Sequence, residues 1–405
     1  MKISIFSDLH FGYALNTSIE NDSFDNSEQA IKQSLDSDLI IICGDLFDNR
    51  FPKPDTLTKA IKILSLPSSV ESKTKLIESI GKDIKRENKG IPIVALHGTH
   101  ERLSKDQYNA VQLLESAGLL YHLHKNGLIF ENSGIKVAIQ GMSGVPERYA
   151  AQILEDWSPK PVKGCYNILL LHQSIHPFIY SPLDPPSLNI DNLPEGFDLI
   201  VNGHIHSSKI ENIGNKKILL TGSTIVTQTK PEEQYEKGIY KLILPEEKIV
   251  FEPLKNIRKF FYEEVKIKDD KTLREQIQDI LKKYRDKYEK KPIVKFKIIS
   301  SNLINIDKEM KDITEQYSNE FIIKYSKEIM SKQTDEKIKI LRDARELKIP
   351  IEDLGMKILE ENLKQLNFDK NIDFSKLYDF LSQGNIEMAK KILLNGFEYD
   401  KSNNI

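Results

Sequence analysis

"IPIVALHGTHE", residues 91–101, runs from nearly unbroken apolar side chains straight into His97, Gly98, Thr99 and His100. A short apolar run of this kind is what a strand buried on both faces looks like, and the sudden polar text marks its end. The same pattern recurs in "KISIF" (2–6), "DLIIIC" (38–43), "NILLL" (167–171), "DLIV" (198–201) and "KILL" (217–220), each leading within two residues into Gly, Asp, His or Asn. Between these runs stand stretches with helical spacing, such as "DTLTKAIKILS" (55–65) and "SKDQYNAVQLLESAG" (104–118). Buried strands alternating with helices predict a layered α/β architecture, sheets flanked by helices, over residues 1–255.

Beyond 255 the text changes. "YEEVKIKD" (262–269) and "PIVKFKIIS" (292–300) alternate apolar and polar residues as half-exposed strands do, while "KTLREQIQDILKKYRDKY" (271–288) and "DKEMKDITEQYS" (307–318) are helical. A small α+β domain with helices on one face of its sheet is expected over 256–330. Residues 331–405 read as helical throughout, after a hinge at "DEKIKI" (335–340). At their end Asp373 and Asn385 are placed as N-caps of two short helices. Those helices carry the stripes Phe374, Leu377, Phe380, Leu381 and Ile386, Ala389, Ile392, Leu393. Helices this short cannot bury both stripes alone, so either a partner surface or a small bundle covers them.

Bulk properties set limits. The chain has 405 residues, more than the roughly 250 to 300 at which one core stops growing, so two or three domains are expected. Charged residues make up 29% and the formal net charge is −2, so any nucleic-acid surface must be local. No apolar run approaches the roughly 18 residues that span a bilayer, and the expectation is an intracellular, cytoplasmic protein with no membrane partner. Cys43 and Cys165 stand in strand-like text, which excludes a disulfide framework and predicts two small core residues.

The chemistry lies at the polar ends of the apolar runs. "FSDLH" supplies Asp8 and His10, "CGDLFD" Asp45, "LHGTHE" His100, "LLLHQS" His172 and "NGHIH" His204 and His206. Ligands in open α/β sheets bind beyond the carboxyl ends of the strands, so these groups converge on one edge. Carboxylates and imidazoles meeting in one pocket form a divalent transition-metal site. If the segments are extended, Asp8 and His10 face one way, as do His204 and His206. One Asp after a strand is ordinarily a helix cap, and one strand-end His an ordinary hydrogen-bonded residue. Five strand ends in order are not explained that way.

At these residues the chain resembles the calcineurin-like metallophosphoesterases, with their D-x-H, G-D, G-N-H-[DE], H and G-H-x-H blocks in sequence. Within them it is similar to double-strand-break repair nuclease subunits of the archaeal Mre/SbcD type, through "GDLFD", "LLLHQS" and "LPEGFDLIVNGHIHSS". The resemblance covers residues 1–255. It implies a layered sandwich and two manganese ions, one held by Asp8, His10, Asp45 and His206, the other by Asp45, His172, His204 and the residue at 99. It implies that His100 serves the leaving oxygen without ligating. It further implies a manganese-dependent DNA nuclease acting on double-stranded DNA ends, a homodimer joined near 55–65 and 104–118, a DNA-capping role for 256–330, and docking of a coiled-coil ABC-type ATPase on the terminal helices in the nucleoid.

Two positions depart from the pattern. Thr99 stands where the family has a ligating Asn, and a hydroxyl is shorter and a poorer donor to a metal, so His97 or Glu101 is a candidate replacement; His97 otherwise lines the pocket rim. Asp48 stands where the family has a His that helps place the DNA backbone; an acid there repels phosphate, and Arg50 is the candidate phosphate contact. These departures keep open a second role, a scaffold tethering DNA ends and the ATPase. A third is a calcineurin-like phosphodiesterase for small substrates. His122 and His124 read as structural or solvated, His176 as lining the cleft, and Gly222 and Ser223 as a turn or a phosphate-facing loop.

Overall fold

The computed structural model describes residues 1–82, 84, 90–103, 107–179, 188–267, 272–300, 306–329, 376–377, 386–388 and 390–392. The chain divides into the compact units Met1–Ile329 and Met330–Ile405. The expected hinge at 335–340, both cap residues and most of the two terminal stripes lie outside the described residues.

Each of the six apolar runs is a strand, but they are shared between two sheets. One sheet has the order Lys248–Pro253, Gly238–Ile243, Lys2–Phe6, Leu39–Cys43, Ile93–Leu96, Tyr121–His122, parallel from Lys2–Phe6 onward. The other has the order Lys209–Ile213, Lys216–Leu220, Leu199–Asn202, Tyr166–Leu171, Ile135–Met142, Asn126–Asn132, Lys75–Ile80, with its four central strands parallel from Lys216–Leu220 to Ile135–Met142.

Burial on alternate sides explains why the runs are continuously apolar. Ile5, Ile41 and Val94 of the first sheet meet Ile139, Leu170 and Val201 of the second in one core between the sheets. Phe6, Ile42 and Ala95 point outward and pack with Ile31, Ala60 and Val111 of helices Asp22–Gln33, Pro54–Leu64 and Ala110–Ser116. On the far side Leu169 and Ile200 pack with Ala150 and Leu154 of helix Glu147–Trp157. The result is a sandwich of two sheets, each covered by helices. Cys43 is buried between the sheets as expected, whereas Cys165 is half-buried, because it precedes the strand rather than sitting in it.

The small sheet is parallel, in the order Phe260–Lys266, Ile293–Ser300, Ile322–Ile329. Helices Leu273–Lys282 and Ile306–Gln316 cross between its strands. Thr272 caps the first of these with a reciprocal bond to Glu275. Val294, Phe296 and Ile298 are buried with Ile277, Leu281 and Met310, while Lys295 and Lys297 on the opposite face are half-exposed. One covered face accounts for the alternating text. The sheet meets the sandwich where Phe260 and Ile293 pack on Ile19, and where Arg258 pairs with Asp22.

Candidate metal centre

The loops after Lys2–Phe6 and Leu39–Cys43 prolong the parallel pairing past the strands: Asp8 N–H donates to the Gly44 carbonyl at 3.0 Å and His10 N–H to that of Asp45 at 3.1 Å. The backbone is not extended there. Asp8, His10, Asp45 and His204 have φ of 54°, 47°, 49° and 71°. Non-glycine residues in that region are uncommon and concentrate at functional sites. Expected strand alternation therefore does not aim these side chains; left-handed turns do. His204 and His206 accordingly go to different places rather than to one face.

Two groups form. Asp8, His10 and His206 bring ligand atoms together, as do Asp45, His172 and His204; a further group joins His10 to Asp48 and His100. His206 Nε2 lies 3.5 Å from Asp8 Oδ1 and 3.3 Å from His10 Nε2. His172 Nε2 lies 3.1 Å from Asp45 Oδ2. The five strand ends thus meet as expected, with those of Asp8, Asp45 and His100 coming from one sheet and those of His172 and His204 from the other.

The electrostatics are those of a cation site. Asp8 and Asp45 are fully buried. Burial opposes ionisation of Asp8, yet His206 and His172 outweigh it and hold the carboxyl below the ordinary range. For Asp45 burial is likewise overcome, chiefly by His172. Against its own burial, Asp45 holds His172 up to about 10. His204 is pushed down to about 4 by burial and by His172. Among the described residues Asp8 Oδ1 and His10 Nδ1 are buried with no hydrogen-bond partner. Such atoms are nearly always satisfied, and nitrogen and oxygen donors turned to common points fit divalent transition cations.

The remaining expected residues divide. Thr99 reaches the second group, its hydroxyl donating to Asp45 Oδ2 at 3.4 Å. His100 is exposed above both groups; its backbone N–H donates to Asp45 Oδ1 at 2.9 Å and its Nδ1 lies 2.7 Å from the Asp48 carbonyl oxygen. Asp48 Oδ1 lies 3.5 Å from His10 Nδ1. Arg50 is exposed. His97 is not brought to the cleft: it is buried, with Nδ1 2.8 Å from His122 Nε2, and stacks on that ring. Pairing of the strand ends at Ala95 and His122 sets this contact. Glu101 is no replacement ligand either, since its two oxygens accept from the backbone N–H of Phe47 and of Gly98, each at 2.7 Å. Burial, with Asp45 nearby, pushes its carboxyl up to about 8. His176 is exposed and stands in neither group, and Ser223 N–H is taken by the His206 carbonyl.

Sequence reasoning missed Glu233 and Lys237. Glu233 Oε1 lies 3.0 Å from His206 Nδ1, and Lys237 Nζ donates to Glu233 Oε2 at 2.6 Å, all buried. A Glu and a Lys four residues apart usually mark a solvated face, and nothing in the spacing points to His206.

The chain is similar to the double-strand break repair protein mre-11 of Caenorhabditis elegans, 24% identical over 300 residues, covering 63% of this chain and 40% of that protein. It is similar to the DNA double-strand break repair protein Mre11 of Archaeoglobus fulgidus, 28% identical over 244 residues, 55% of this chain and 50% of that one. With the protein of the same name from Sulfurisphaera tokodaii it shares 28% over 308 residues, 72% of each. The chain spans about half the length of the first two of these relatives. The calcineurin-like phosphoesterase pattern matches residues 1–208, the part holding Asp8, His10, Asp45, His100, His172, His204 and His206. By that match and by its layered sandwich, the chain belongs to the calcineurin-like phosphoesterase family.

Proposed function

We propose that this chain is a metal-dependent DNA nuclease that processes double-stranded DNA ends in double-strand-break repair. The observation that carries the reading is a pair of adjoining ligand groups, centred on the buried Asp8 and Asp45, with His100 standing over both. The names of the relatives described above, all double-strand break repair proteins, support the substrate class. Manganese is the proposed metal, with one ion held by Asp8, His10, His206 and Asp45 and a second by Asp45, His172, His204 and Thr99.

Two bound divalent ions supply Lewis acidity toward a phosphodiester and acidify a water. The chain's own residues do the rest. His100, its Nδ1 held by the Asp48 carbonyl, presents Nε2 on the cleft side, 4.0 Å from Asp45 Oδ2, where a proton can pass to the leaving oxygen. A small cavity of about 60 Å³ lined by Ile179, Ile205, His206, Gln228, Lys230 and Glu233 adjoins the first group.

In the same reading residues 256–330 cap the DNA, two copies pair through helices Pro54–Leu64 and Ala110–Ser116, and the terminal helices receive a coiled-coil ABC-type ATPase. Exposed Ile61, Tyr108 and Leu113 on and beside those two helices support the homodimer, at 38%, 82% and 50% exposure. No helix among the described residues is long and apolar enough to cross a membrane; the proposed location is the cytoplasm, at the nucleoid.

One observation favours a second reading. Thr99 donates to Asp45 instead of offering an amide oxygen, which suits a scaffold with a weakened second site. Cleavage of an end-labelled duplex and a hairpin in manganese, with and without the ATPase, separates the two. Cutting by the wild type that falls about 10²- to 10⁴-fold in His100→Ala is the expected result. DNA binding without cutting in either protein overturns it for the scaffold. Hydrolysis of a chromogenic phosphodiester with DNA left intact overturns it for the small-substrate enzyme.

A further inference from the structure

His172 of the Asp45 group and the two histidines of the Asp8 group are backed by different acceptors. His172 Nδ1 faces the backbone carbonyl oxygen of Cys43 at 2.6 Å. In the Asp8 group the corresponding atoms face carboxylates, that of His206 together with the Thr227 hydroxyl at 3.0 Å. Glu233 Oε1 lies 3.0 Å from His206 Nδ1, and the same oxygen accepts from Gln228 N–H at 3.0 Å. Its other oxygen takes Lys237 Nζ, which also donates to Ser223 Oγ at 3.0 Å and to the His206 carbonyl at 3.2 Å. Glu233 and Lys237 are each 3% exposed. A buried ion pair is no net gain in stability over apolar residues of the same volume, so its place behind a ligand needs another account.

On the other flank stands Asp48. His10 turns Nε2 toward Asp8 and His206, and its buried Nδ1, which makes no hydrogen bond among the described residues, lies at ion-pair distance, 3.5 Å, from Asp48 Oδ1. The acid that the sequence suggested would repel phosphate thus points its carboxylate at the back of an imidazole. A carboxylate behind a ligating histidine fixes the tautomer, leaves the Nε2 lone pair free for the metal and makes the ring more basic; loss of such a partner typically costs about 10- to 100-fold in metal affinity.

We infer that Glu233 and Asp48 are positioning residues that make the Asp8–His10–His206 group the stronger of two unequal cation sites, so that divalent transition-metal ions load in order. The inference rests on the metal site of the proposed function but not on its substrate. The occupant is a divalent cation, and Glu233 and Asp48 touch the imidazoles rather than the ion.

The test titrates the full chain with Mn(II) alone by calorimetry and electron paramagnetic resonance, and with Co(II) as a visible probe of imidazole coordination. Wild type is expected to bind two ions in separate steps. Glu233→Gln and Asp48→Asn each weaken the tight step about 10- to 100-fold, shift the Co(II) band of that site, and leave the weak step unchanged. Because Glu233→Gln leaves Lys237 buried without its partner, Glu233→Gln with Lys237→Met removes both charges together, and Asp48→Asn tests the half-exposed flank independently. Variants with the wild-type melting temperature and circular dichroism that bind both ions as wild type does overturn the inference. So does a wild type that binds no Mn(II), and so does a third ion lost in Asp48→Asn, which would make Asp48 a ligand. A chain that binds two unequal ions and cuts no DNA leaves the inference standing and removes the nuclease reading.

Discussion

The Asp8 half of the cleft has carboxylates behind its histidines and the Asp45 half a backbone carbonyl behind His172, while Asp8, like Asp45, accepts a backbone N–H, here from His204 at 3.2 Å. Glu233 and Asp48 stand behind His206 and His10, whereas His172 leans on the Cys43 carbonyl and Asp45 receives the backbone N–H of His100. Glycines complete the second half. Gly44 has φ of 94°, and a Cβ there would lie 2.3 Å from His172 Nδ1; a Cβ on Gly98 would lie 2.0 Å from Asp45 Oδ1 and 2.5 Å from Asp45 N. A half built on side chains can be changed in steps, because one rotamer or one charge is altered at a time. A half built on close backbone approach has no such latitude.

The strongest attempt to break this contrast is Gly98→Ala. The atoms in the way include the Asp45 backbone nitrogen, so rotation of one side chain cannot make room. Asp45 or the 97–100 loop has to move, and a displacement of about 1 Å at reacting groups costs about 10²-fold in rate. Hydrolysis of a chromogenic phosphodiester in manganese is expected to fall by at least that factor, with loss of the ion proposed for the group of Asp45, His172 and His204. A rate near wild type would show that the backbone-built half yields after all.

Glu101→Gln is a smaller change to the same half. Glu101 ties the 44–48 loop to the 97–100 loop by accepting from Phe47 N–H and Gly98 N–H. A glutamine amide has one acceptor oxygen and turns a donor toward the other N–H. Leaving a buried backbone donor unsatisfied costs about 1 to 3 kcal/mol. Above about pH 8, where the Glu101 carboxyl is ionised and both oxygens accept, the midpoint of urea unfolding should drop accordingly with an unchanged slope. An unchanged midpoint would mean that the two loops do not depend on this acid.

The two halves are unequally legible in the sequence. Asp8, His10, Asp45, His172, His204 and His206 announce themselves because each closely follows an apolar run, and doubly buried strands write such runs plainly. Division of those runs between two sheets leaves no mark, since inner and outer faces are equally apolar. Left-handed turns at Asp8, His10, Asp45 and His204 are also silent, as a non-glycine residue carries no signal for positive φ. Glu233 is 27 residues from His206 in a short turn of acidic text, and only the fold brings it there. From sequence His97 reads as a rim residue, because the strand pairing at Ala95 and His122 that turns it inward depends on a partner 25 residues away.

The finest test of the contrast is Thr99→Asn. Thr99 sits in the backbone-built half, and its hydroxyl spends its proton on Asp45 Oδ2. An asparagine at this position replaces that donor with a longer arm ending in an amide oxygen, a better ligand for a hard or borderline divalent ion. The weak step of Mn(II) binding is expected to tighten about tenfold, worth about 1.4 kcal/mol, while the tight step stays where Glu233 and Asp48 set it. Calorimetric titration of the variant against wild type resolves the two steps. If instead the tight step moves, the two groups share their ligands more closely than their separate backing implies. If neither moves, position 99 gives no ligand in this chain, and the inequality of the halves comes entirely from what stands behind the histidines.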